Sequence, residues 1–211
     1  IIDGANFDWT ADPKRQPLFN EPDPSYGGVV WGEAVPQITG HNIPFAIRAR
    51  VCLLRDLGSC LSPDNAFQVI QGIETLPLRM RQNCSNAERV VDFLEDHPKV
   101  ERVIYPKNYD GVVGERAKKY FNGGFGALVG LELKGGIEAG KKFINSLKLF
   151  YHVANIGDAR SLAIHPATTT HSQLTPEEQL ASGVTPGYVR LSLGIEHPDD
   201  LLSDLKQALE A

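Results

Sequence analysis

Arg190 carries the clearest chemistry in this chain. It lies in YVRLSLGIE, where Val189, Leu191 and Leu193 alternate with Tyr188, Arg190 and Ser192. That is the period-two pattern of a half-buried strand, so the arginine leaves the strand on the face opposite the aliphatic residues. A guanidinium stays charged at any relevant pH and presents its donors in a fixed fork that matches a carboxylate two at a time. Ser161 heads a second short strand, SLAIH, and its hydroxyl and N–H could serve the same anion. With the two strands as neighbours, the pair forms a clamp for the carboxylate of a small acid. Asn155 and Asp158 lie in the loop that leads into Ser161. A strand arginine also serves as a surface residue or as a structural ion-pair partner, here for Glu196 or Asp158. Residue types alone leave both readings open.

Other groups offer less. His165 and His171 are six residues apart and His197 is distant, with no acidic residue at ligand spacing to any two of them. A zinc site needs three or four converging ligands, so no metal site is read. His165, followed by Pro166, reads as a strand-end histidine in a structural hydrogen bond. Gly123-Gly124-Phe125-Gly126 precedes a strand and opens no helix, so the helix-terminus logic of phosphate binding fails; the segment reads as a turn. Lys141, Lys142 and Lys148 belong to a solvated face. Cys52, Cys60 and Cys84 are an odd count without metal-like spacing and read as reduced thiols.

The elements that must position Arg190 and Ser161 alternate along the C-terminal half. VERVIY, ALVGLEL, KLFYHVA, SLAIH and YVRLSLG read as strands. GVVGERAKKYF, GIEAGKKFINSL, TPEEQLAS and PDDLLSDLKQALE read as helices, and together they predict a small α/β sandwich. Leu201, Leu202, Leu205, Ala208 and Leu209 form the apolar stripe of the last helix. Upstream, Asn42 is the expected cap of a helix with Pro44 in its first turn, closed by Gly58. Ser62-Pro63 starts the next, with Ala66, Val69, Ile70, Ile73 and Leu76 as its buried face. A break is expected around Thr75–Pro77. A further helix through Met80, Cys84, Ala87, Val91 and Leu94 follows, running to about His97. Residues 1–41 show no sustained period but carry Phe7, Trp9, Phe19, Tyr26 and Trp31, which predicts a long ordered loop.

At 211 residues and 42% hydrophobic, the chain can bury a substantial core. A net charge of -5 argues against nucleic acid as a partner. No run is apolar enough to span a membrane, and IIDGANFDW has neither the basic region nor the apolar stretch of a secretory leader. Together with the reduced thiols this predicts a cytoplasmic protein.

GDARSLAIHPATTTHSQLTPEEQLASGVTPGYVRLSLGIEHPDDLLSDLKQALE resembles the C-terminal signature of the Cys/Met-metabolism family of pyridoxal-phosphate enzymes. The resemblance continues upstream through GANFDW, EPDPSYGG, RDLGSCLSPDNAFQVIQGIETLPLRM and HPKVERVIYP. Gly157 to Ser161 and Gln71 favour the O-acetylhomoserine sulfhydrylase branch, since relatives of the cystathionine and methionine-lyase types usually carry an acidic residue where Arg160 stands.

The resemblance implies the C-terminal part of a fold type I transferase. Residues 1–62 would end the large cofactor domain, 63–97 would connect, and 98–211 would form the α/β domain with the clamp. IIDG would begin within a strand, and the Schiff-base lysine would lie upstream of Ile1, so that no catalytic residue falls in this chain. Pyridoxal phosphate would be held mainly by the N-terminal half. Arg190 would make the bidentate contact to the substrate α-carboxylate and Ser161 a second contact, with Asn155 and Asp158 in the same loop. The implied reaction joins O-acetyl-L-homoserine and sulfide to give L-homocysteine, in a homotetramer of the complete enzyme. Cystathionine γ-synthase activity, methionine γ-lyase activity and a non-catalytic assembly module are the alternatives.

Overall fold

The structure is a computed structural model and describes residues 4–211; the strand expected at residues 1–3 lies outside them. Two compact units divide after Val69.

The first unit is organised by aromatics. Phe19, Trp31 and Val35 form its core, with Trp9, Tyr26, Ile43, Ile47 and Val51 packed against them. Trp9 stacks on Phe45 at 5.4 Å between ring centroids, and the Trp31 indole donates to Asp23 at 2.9 Å. The long loop is thus ordered, as its aromatic content predicts, but it is not all loop. It holds α1 (Pro17–Asn20) and α2 (Trp31–Thr39). Pro36 inside α2 hides the helical spacing of Trp31 and Val35. Next comes α3 (Pro44–Arg48), which runs on into a π-helical stretch, Ala49–Arg55. Asn42 is not its cap: the cap position is Ile43, and the Asn42 amide donates to the Phe7 carbonyl at 2.8 Å. Gly58 does close the stretch, in the left-handed region at φ 72°.

Helix α4 (Pro63–Glu74) starts where Ser62-Pro63 predicts, and the Ser62 hydroxyl accepts the Asn65 N–H at 3.2 Å. Its expected buried face is not buried. Val69, Ile70 and Ile73 are each more than half exposed. The break at Thr75 is present, and α5 (Leu76–Glu95) follows.

In the second unit a mixed sheet has the order β1-β2-β5-β4-β3. Its strands are β1 (Val100–Ile104), β2 (Leu128–Leu133), β3 (Tyr151–His152), β4 (Leu162–Ile164) and β5 (Tyr188–Ser192). β2 and β4 both pair antiparallel with β5, while β3 pairs parallel with β4. Helices α5, α7 (Gly136–Ser146) and α9 (Pro198–Glu210) pack against the strands or one another. They meet Val129, Leu131, Ala163, Val189 and Leu191 in a single core. The remaining helices are α6 (Gly111–Tyr120) and α8 (Pro176–Ala181), the latter with a full Thr175/Glu178 capping box.

KLFYHVA shrinks to the two residues of β3. The reason is Asp204 of α9, whose buried carboxylate takes the N–H groups of Lys148, Leu149 and Phe150 at 2.8–3.2 Å. Those groups would otherwise feed a sheet ladder. His165 makes two structural hydrogen bonds, to the Thr168 hydroxyl and the Pro186 carbonyl, both at 2.8 Å.

Candidate functional site

Alternation along β5 sends Val189 and Leu191 into the core, and Tyr188, Arg190 and Ser192 to the other face of the sheet. The register places Arg190 of β5 beside Gly130 of β2 and Ile164 of β4. Gly130 is a built gap, because a Cβ there would meet the Tyr188 ring at 2.7 Å and the Ile104 side chain at 3.2 Å. The missing side chain lets the Tyr188 ring lie on the sheet next to the arginine. Burial pushes the Tyr188 phenol above its usual pKa, and the Arg190 charge opposes that shift, so the phenol is neutral and able to donate near neutral pH. A cavity of about 360 Å³ opens beside Arg190, lined also by Ile104, Ile164, Thr170, His171 and Tyr188.

Among the described residues Arg190 makes one hydrogen bond, from Nη2 to the Asn155 carbonyl at 3.1 Å. Its Nε is buried with no partner, and it forms no ion pair among the described residues, so neither Glu196 nor Asp158 neutralises it. An unpaired buried donor on a cation costs free energy until an acceptor arrives. The guanidinium is therefore held at one corner, with hydrogen-bonding capacity that nothing among the described residues satisfies.

The other three predicted residues are placed differently. Asn155 meets Arg190 through its main chain, and its side chain is exposed. Asp158 accepts the Arg160 N–H at 3.0 Å and holds the turn of the loop. Ser161 is fully buried, at the head of β4 as the sequence predicts. Its N–H donates to Glu196 Oε1 at 2.6 Å and its hydroxyl to Glu196 Oε2 at 2.8 Å. Both donors that could serve a ligand are already given to a carboxylate of the chain itself.

Two groups complete the surroundings: Glu196, which the sequence offers as an ion-pair partner for Arg190 and not as a holder of Ser161, and Asn86, which sequence reasoning passed over. Glu196 holds Ser161, and Asn86 of α5, fully buried, donates to the carbonyls of Gly194 and Glu196, both at 2.9 Å. A polar residue on the buried face of an amphipathic helix was the available signal for Asn86. Every lysine of the chain is exposed and none lines the cavity beside Arg190. The residues present thus leave an arginine with an unmet donor beside the cavity and offer no buried amine to hold a carbonyl cofactor covalently.

Fold and site together define an α/β domain that carries an incompletely paired arginine on the face of a mixed sheet opposite its helix-covered core. A family model for Cys/Met metabolism PLP-dependent enzymes matches residues 26–210, and the chain belongs to that family. It is 54% identical to O-acetyl-L-homoserine sulfhydrylase of Leptospira meyeri, over all of this chain and 48% of that protein. It is 47% identical to O-acetyl-L-homoserine sulfhydrylase 1 of Thermus thermophilus, over 99% of this chain and 48% of that protein. A Campylobacter jejuni structure assigned as O-acetylhomoserine (thiol)-lyase, solved with N'-pyridoxyl-lysine-5'-monophosphate, superposes with a TM-score of 0.79 at 42% identity. That match covers 94% of this chain and 46% of the other. The chain spans about half the length of the curated relatives it matches.

Proposed function

We propose that this chain is the C-terminal half of a pyridoxal-phosphate γ-replacement enzyme that makes L-homocysteine from O-acetyl-L-homoserine and sulfide. The observation that carries the reading is the Arg190 guanidinium, tethered once and otherwise unpaired among the described residues, beside a cavity. When bound, the cofactor supplies an electron sink for departure of acetate and entry of the sulfur nucleophile. The part of this chain is to bind and orient. Arg190 takes the substrate α-carboxylate through its free donors, and this fixes where the amine and Cα–H point. The Asn155 carbonyl keeps the guanidinium plane from rotating, and the Asn155 amide is close enough in the chain to add a contact. Ser161 serves the carboxylate from behind by holding the loop, with Asp158 shaping its turn. The working unit is a homotetramer of the complete enzyme in the cytoplasm. Support comes from the family match and from the net charge of -5, which favours small-molecule over nucleic-acid partners. In addition, no helix among the described residues is long and apolar enough to cross a membrane.

The test is Arg190→Ala in the complete enzyme. Each charged hydrogen bond lost costs about 1.5–3 kcal/mol, so KM for O-acetylhomoserine rises by at least about tenfold while the cofactor absorbance is retained. An unchanged KM overturns the reading. A 43% identical relative over 85% of the chain is an L-methionine gamma-lyase of Fusobacterium nucleatum, which keeps lyase chemistry as a second reading. Comparing homocysteine formation from sulfide with methionine breakdown decides between them, and dominant breakdown sinks the first.

A further inference from the structure

Ser161 and Glu196 belong to a larger polar construction that reaches from helix α5 to the arginine. Asn86 holds the carbonyls of Gly194 and Glu196 through its amide nitrogen, while its oxygen accepts from Gln82 at 2.9 Å. The Glu196 carboxylate grips both donors of Ser161, and the Ser161 hydroxyl in turn accepts the Gly194 N–H at 2.8 Å. Two more ties run from the same loop to the end of β5. Ile195 N–H donates to the Ala159 carbonyl at 2.9 Å, and Gly157 N–H donates to the Ser192 hydroxyl at 3.3 Å. Gly194 is what lets the strands meet so closely, since a Cβ there would stand 2.5 Å from Glu196 Oε2. The segment pinned in this way, 155–161, is the one whose first carbonyl accepts from Arg190.

We infer that Glu196 and Asn86 are positioning residues for the anion-binding arginine. They clamp the 155–161 loop to the end of β5, and through the Asn155 carbonyl they set the guanidinium orientation. The construction has the form of a satisfied buried network, which specifies one geometry more sharply than apolar packing does. Its members lie up to 110 residues apart in the chain, so the loop cannot find this position by local preference. Glu196 lies in the same segment as Arg190 without pairing to it. It leaves the cation unneutralised while fixing the loop that aims it. This inference rests on the carboxylate-binding reading of Arg190.

The experiment is a double-mutant cycle in the complete holoenzyme, with Glu196→Gln, Asn86→Ala, Arg190→Ala and the corresponding pairs. Kinetics with O-acetylhomoserine and sulfide are combined with calorimetric titration of L-norvaline, an amino acid carboxylate that carries no leaving group. Glu196→Gln and Asn86→Ala are expected to raise KM for O-acetylhomoserine and Kd for L-norvaline by about tenfold, below the hundredfold that ångström-scale misplacement can cost. The KM for sulfide stays unchanged. In the Arg190→Ala background, both substitutions lose that effect, because the group they aim is gone. Glu196→Asp, which keeps the charge but shortens the reach, is expected to recover part of the loss. If Arg190→Ala weakens L-norvaline binding while Glu196→Gln and Asn86→Ala do not, the positioning role falls and the arginine reading stands. Effects of Glu196→Gln and Asn86→Ala that persist undiminished without Arg190 also overturn it. If Arg190→Ala itself leaves binding intact, the carboxylate-binding reading fails, and this inference fails with it.

Discussion

The two faces of the sheet in the second unit are made of the same strands and do opposite things. On one face Val129, Leu131, Val189 and Leu191 are wholly buried under helices. On the other, the residues that alternate with them along β2 and β5 are Gly130, Glu132, Tyr188, Arg190 and Ser192, a glycine and four groups that can exchange hydrogen bonds. Glu132 accepts from the Thr185 hydroxyl and from the Gly187 N–H, and so shapes the turn that enters β5. The first face holds the domain together; the second carries the polar groups on which the proposed binding rests. Because side chains on a strand alternate strictly, stability and binding are separable one residue apart.

That separation can be broken or sharpened by substitution. The largest effect is expected from Leu191→Ala, which removes a fully buried side chain and should cost about 2–5 kcal/mol of stability in a denaturant titration. Whatever remains folded should bind an amino acid carboxylate normally. Next comes the adjacent Arg190→Lys, which keeps a charge but loses the planar fork. It should weaken carboxylate binding by about 1.5–3 kcal/mol, one charged hydrogen bond, and leave the unfolding midpoint nearly in place. A loss of stability as large as that of Leu191→Ala would erase the distinction between the faces.

Gly130→Ala should have a smaller effect, of about 1 kcal/mol, because an added methyl forces the Tyr188 ring and Ile104 to move. Its signature is weakened carboxylate binding through a displaced Tyr188, together with a modest fall in stability. The smallest effect belongs to His97, on the helix side of the sheet. Burial first, and the Lys99 charge second, hold its pKa below the usual 6.5, and its neutral Nδ1 accepts the Lys99 N–H at 3.3 Å. With the folded pKa depressed, the unfolded chain binds the proton first. This contribution is present above pH 6.5 and is lost as pH falls through the folded value. His97→Asn should flatten the stability profile in that window and leave binding of the carboxylate untouched.

Much of this was readable from local pattern. Alternation placed Arg190 opposite the aliphatic residues of β5, and the Ser62-Pro63 signal located the start of α4. Helical spacing misled about what lies beneath α4. Leu201 and Leu205 of α9 are fully buried, while Val69, Ile70 and Ile73 of α4, at equally good helical spacing, stand in solvent. Periodicity reports that a helix has an apolar side, not that a partner for it lies within the same chain. Helix α2 went unread because Pro36 interrupts its pattern, and β3 was overread because nothing local reveals the capture of its N–H groups by Asp204.

The amino-acid sequence by itself determined the family, the order of strands and helices in the second unit, and the side of β5 from which Arg190 emerges. These depend on long motifs and on short-range periodicity, and both are written into neighbouring residues. Only the tertiary structure decided what Arg190 and Ser161 are free to do. Ser161 is occupied by Glu196, and Arg190 is left with an unpaired donor beside the Asn155 carbonyl. Those outcomes depend on groups 35 residues apart in the chain, where hydrogen bonds form only after the sheet has been assembled and leave no trace in local spacing.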